Sequence, residues 1–199
     1  MNRSMKSLLV TLLLSPSVAM AHSPIEGFGE FYNGLLHPLF IPAHIVGLLA
    51  FGVWFGRQPK DDLAFGILAL LLGLVLGLAC SELVNQQIMA VPTMLISVGF
   101  GALLLLRTTL NKWVVCSTAA LVGLVLGMDS EQSLLVGSEK LVSHLGTTIS
   151  VFAVVLNTAL FSSKLHCAWQ HTAIRILGSW IFTCSALATL VLLTEKVGG

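Results

Sequence analysis

A chain of 199 residues that is 56% hydrophobic and only 10% charged lacks the polar surface of a water-soluble globule, in which about a quarter of residues are charged. The formal net charge of +1 identifies no partner, and without a basic stripe or a nucleic-acid motif no nucleic-acid partner is expected. Long apolar runs recur instead, and they point to an all-α polytopic membrane bundle in a lipid bilayer.

The first residues read as an export signal. Arg3 and Lys6 give a basic start, and Leu8 to Leu14 form a short apolar core. Ala19-Met20-Ala21 supplies the small residues a signal peptidase needs, so cleavage is expected after Ala21. The chain then divides into a signal peptide, 1–21, and a transmembrane domain, 22–199, with His22 as the mature amino terminus.

About six spans follow, at roughly 35–56, 63–83, 88–106, 113–128, 141–161 and 173–193, each near the ~20 apolar residues that cross a bilayer. The fourth is the shortest and is expected to extend into "DSEQ". Short connections make neighbouring helices antiparallel. Arg57, Lys60, Arg107, Lys112, Lys164 and Arg175 fall on one side and only Lys140 and Lys196 on the other. Positive residues stay in the cytoplasm, which places the mature amino terminus on the outer side of the membrane.

Acidic residues show the reverse bias, with only Asp61 and Asp62 on the cytoplasmic side. Glu26, Glu30, Glu82, Asp129, Glu131, Glu139 and Glu195 lie outside or at the outer edge. A mouth of one sign concentrates ions of the other; ordinary solvated loop charge is the plain alternative. Gly73 and Gly77 form one GxxxG and Gly123 and Gly127 another, which allows close helix packing. Cys80, Cys116, Cys167 and Cys184 are scattered, so no disulfide framework is expected. The "KLHCAWQH" segment, with His166, Cys167 and His171, matches no standard zinc spacing. It reads as an interfacial loop anchored by Trp169; the alternative is that its two imidazoles and one thiol receive an exiting metal.

The first span carries "HPLFIPAH". On a straight helix His37 and His44 would share a face about 10 Å apart along the axis, too far for one metal ion to bind both. Pro42 removes a helical hydrogen bond and crowds the carbonyl of Pro38, so the outer half of this span is expected to bend or unwind. Such backbone is tolerated at depth where it is buried in protein or lines a wet cavity. An ionisable group near mid-span, as His44 is, marks a functional position; a neutral histidine bonded to a neighbouring helix is the alternative. His22, His37 and His144 all belong to the outer half. Imidazole and carboxylate ligands suit divalent transition metals. The candidate metal-binding residues are therefore His37, His44, His22 and His144, completed by carboxylates of the outer acidic cluster that holds Asp129 and Glu131.

Taken together, the "AMA" signal end, the mature start "HSPIEGFGEFYNGLLHP", the first-span "HPLFIPAHIVGLLAFGVW" and the six short spans resemble the HupE/UreJ family of bacterial membrane proteins. The resemblance implies nickel or cobalt uptake, often beside hydrogenase or urease genes. His37 and His44 match the histidines of the family's first-helix motif. Three departures stand out. The family's aspartate before the second histidine is Ala43, its glycine is Ile41, and Pro42 is added. In the fourth helix Glu131 falls on the family's glutamate, while Met128 replaces the preceding histidine, with Asp129 as a partial substitute. The family's third-helix glutamate falls at Val91 or a neighbour, with Glu82 upstream as a stand-in.

The function expected is a membrane permease or facilitator for a divalent transition-metal ion, Ni²⁺ or Co²⁺, with no prosthetic group. The alternative is a non-transporting accessory protein that supports assembly of a metalloenzyme or another membrane complex. Scattered serines without a base in reach give no catalytic constellation, so the chain is not read as an enzyme.

Overall fold

In a computed structural model, residues 29–106, 109–130 and 135–198 are described. The expected leader, the mature terminus His22 and the candidate ligand Glu131 lie outside them. The described residues form seven helices and no strand: α1 Glu30–Phe40, α2 Pro42–Phe55, α3 Lys60–Cys80, α4 Gln86–Leu106, α5 Lys112–Met128, α6 Ser138–Ser162 and α7 Ala168–Gly198. A single 3-10 turn, Ser81–Leu83, extends α3.

All six expected apolar segments are helical. By length and composition four helices can cross a membrane, and α1 with α2 makes a fifth if the bent pair counts as one span. α5, with 17 residues, is shorter. It does not run on into "DSEQ" as its sequence suggests, but stops at Met128. The Ser130 hydroxyl donates to the Leu126 carbonyl at 2.6 Å, and the Ser130 amide turns back to Gly127 at 3.2 Å. Such local side-chain bonds compete with helix continuation.

Glycines set the helix spacing. Gly73 and Gly77 of α3 face Gly123 and Gly127 of α5, so the two GxxxG motifs pack on each other. A methyl group at Gly73 would lie 2.1 Å from the Ala120 carbonyl oxygen, and one at Gly123 2.2 Å from that of Leu70. With no hydrophobic drive between helices in lipid, such backbone proximity supplies the dispersion contacts that hold them together.

The central helix is α2, packed between α4 and α6. Phe51, Trp54 and Phe55 are wholly buried, and Phe100 of α4 closes on them with ring centroids 5.1 Å from Phe51 and 5.2 Å from Trp54. At the base of α2, the Ser162 hydroxyl donates to the Val53 carbonyl at 2.7 Å. Leu68, Leu72 and Leu76 of α3 and Trp180, Leu187 and Leu190 of α7 point outward, as lipid-facing residues do.

Candidate functional site

The break in the first span lies at Ile41. Its backbone is extended, with φ −88° and ψ 111°, the conformation that a following proline imposes. Pro42 then starts α2, where its missing N–H costs nothing. The two helix axes diverge by 73°. As a result the His37 and His44 imidazoles stand edge to face, with centroids 5.6 Å apart and planes inclined by 68°. The bend expected from Pro42 is present, and it brings the two rings together.

A carboxylate joins them from the end of α5. Asp129 caps that helix, and its Oδ2 lies 2.8 Å from His44 Nε2. The same oxygen accepts a hydrogen bond from the Thr93 hydroxyl of α4 at 2.7 Å. Both contacts fall in the short range of charge-assisted bonds. His44 is 0% exposed and the Asp129 side chain 11%, so the ring is sealed and the carboxylate borders the surface. Other polar side chains among the described residues are also buried. Asn33, His37, Thr93 and Ser130 are buried, as are Ser143, Thr147 and Ser150 along one face of α6. The Thr147 hydroxyl lies 3.1 Å from the Gly34 carbonyl, where α1 crosses α6.

Among the candidate ligands, the structure brings His37, His44 and Asp129 together. His144 lies one helical turn from Lys140 on α6, whose ammonium pairs with Glu82. His144 Nε2 is buried with no hydrogen-bond partner among the described residues. No three His, Cys, Asp or Glu side chains among the described residues converge as a set that could hold one metal ion. Ala43, at the family's aspartate position, borders an apolar groove of about 300 Å³ between α2, α4 and α7, with Val46, Met94 and Ile181. The carboxylate partner of His44 thus comes from α5 and not from its own helix. At the opposite end of the bundle His171 Nδ1 accepts from Arg57 at 3.1 Å, and Cys167 donates its amide to Gln170 Oε1. Those contacts suit the anchoring role of the loop.

Thr93 escapes a sequence reading because a lone threonine after Pro92 carries no spacing signal. The α6 hydroxyls do carry one: Ser143, Thr147 and Ser150 recur every three to four residues, which marks one helix face.

A bundle of apolar helices with a buried imidazole–carboxylate–hydroxyl chain defines a polytopic membrane protein with an interior polar site. The chain belongs to the HupE/UreJ family: the model described as "HupE / UreJ protein" matches residues 10–188. This family is associated with nickel or cobalt transport and with urease or hydrogenase maturation. No curated protein and no solved structure matches the chain.

Proposed function

We propose that this protein is a permease or facilitator for a divalent transition-metal ion, nickel or cobalt, in a bacterial inner membrane. The supporting observation is the fold at Ile41, which carries two imidazoles into contact beside a buried carboxylate within apolar helices. His37 and His44 are the ligands at depth. His22, Glu131 and His144 serve the outer approach. Residues 1–21 are removed on export, which leaves His22 in the periplasm. The sealed His44 ring corresponds to an occluded state, and opening begins at Asp129, where the polar chain reaches the surface. A gradient or the membrane potential drives movement; for a divalent ion the potential is worth about 4–5 kcal/mol per 100 mV. The protein performs no covalent chemistry.

One observation favours a second role. A ring with no exposed surface, in a chain with Ala43 and Met128 at two of the family's motif positions, also suits a non-transporting partner in metalloenzyme assembly. Uptake of Ni²⁺ or Co²⁺ by cells expressing the chain separates the two. A permease loses uptake on His44→Ala while membrane insertion persists; equal uptake by both chains assigns the accessory role.

A further inference from the structure

We infer that Asp129 is a positioning residue and not a metal ligand: it fixes His44 in the tautomer whose free electron pair is on Nδ1, and Thr93 holds Asp129 in place. This rests on the proposed role of His44 in binding a divalent metal. It changes the part played by Asp129 in that site.

A carboxylate can only accept hydrogen bonds. Oδ2 of Asp129 takes one from the Thr93 hydroxyl at 2.7 Å and lies 2.8 Å from His44 Nε2. With the carboxylate ionised, the hydrogen between Asp129 and His44 is carried by Nε2. A neutral imidazole carries only one ring hydrogen, so Nδ1 keeps its lone pair. That nitrogen is buried and has no hydrogen-bond partner among the described residues. An unpaired acceptor in the interior is costly, and a bound cation is one way to satisfy it. The arrangement matches the carboxylate–histidine–metal order, in which the outer carboxylate orients the ring and raises its basicity.

The position of Ala43 supports the assignment. The family pattern puts a carboxylate next to the second histidine in sequence; here that position borders an apolar groove. Asp129 reaches the same imidazole from 85 residues away. It does so because α5 stops one residue earlier, at Met128, and because Thr93 of α4 meets the same carboxylate oxygen.

The experiment uses the full chain purified into lipid nanodiscs, with Co²⁺ alone as the probe. In the metal-free protein, ¹⁵N-histidine NMR should report His44 with its hydrogen on Nε2; a hydrogen on Nδ1 would overturn the assignment. An amide offers both a donor and an acceptor, so Asp129→Asn should mix the two tautomers and weaken Co²⁺ binding roughly 10- to 100-fold. Thr93→Val should move both readouts in the same direction, and Thr93→Ser, which keeps the hydroxyl, should restore them. Wild-type Co²⁺ affinity in Asp129→Asn, where His44→Ala abolishes binding, defeats the inference and spares the metal-binding role of His44. Unchanged binding in His44→Ala defeats that role itself.

Discussion

Gly34 of α1 lies so near Ser143 of α6 that a methyl group on it would sit 1.9 Å from the Ser143 carbonyl oxygen. The closest atoms are backbone, with the Ser143 carbonyl carbon at 2.7 Å and the Ser143 Oγ behind it at 2.8 Å. Gly146 repeats the fit from the other helix: a methyl group on it would lie 2.2 Å from the carbonyl oxygen of Phe31. These two glycines seat the helix that carries His37. Gly34→Ala should therefore destabilise the bundle by about 3 kcal/mol, the upper end for overpacking, and push α1 away from α6. Reversible unfolding in mixed detergent measures the loss; a change below about 0.5 kcal/mol would mean that α1 is not held as described.

The same substitution at Gly99 should act in the opposite direction. Gly99 lies within α4, and a methyl group there meets nothing within 4 Å. Alanine relieves the conformational entropy cost of glycine in a helix, worth roughly 0.5–1 kcal/mol. Gly99→Ala should unfold at an equal or higher detergent fraction than the parent chain, and a clear loss of stability would reveal a packing partner at that face.

Pro42 sets the angle between the two imidazole-bearing helices. Alanine there restores a backbone N–H and frees Ile41 from the extended conformation that a proline demands. Spin labels at Tyr32 and Leu49, both exposed, report the bend. In Pro42→Ala their separation should lengthen toward the roughly 26 Å of a continuous helix. Co²⁺ affinity should fall about tenfold as one of the two imidazoles leaves the site, an energy near 1.4 kcal/mol. An unchanged label distance would place the cause of the break in the surrounding helices and not in the proline.

The sequence makes the helices legible because their apolar runs are long and bounded by charges, and it makes the break legible because proline has a fixed chemical consequence. It does not give the depth at which one helix meets another. The pairing of His44 with Asp129 depends on where α5 ends and how far it is drawn along α3. Those follow from a serine back-bond at Ser130, which has no periodic signature, and from glycine contacts such as Gly73 on Ala120, whose GxxxG spacing is readable but whose partner and register are not. His144 shows the same limit. Its place near the outer end of α6 is readable, but the face it presents is not, and the charges that act on it are those of Lys140 and Glu82.

Gln58 offers a test at the opposite end of the bundle. It follows α2, is buried, and binds in two directions. Its Nε2 donates to the Trp54 carbonyl at 3.2 Å, and its Oε1 accepts the Leu110 amide at 3.0 Å, just before α5 begins. The side chain thus ties the end of α2 to the connection between α4 and α5. Gln58→Leu keeps much of the volume and removes both bonds, leaving the Leu110 amide without its acceptor. The cost should be about 1–3 kcal/mol, the penalty for an unmet backbone group in a partly buried setting. Hydrogen exchange locates it: the Leu110 amide should exchange faster by roughly the same free energy, while amides at the centre of α3 keep their protection. Equal acceleration across the bundle would show that Gln58 supports the whole fold and not this one junction.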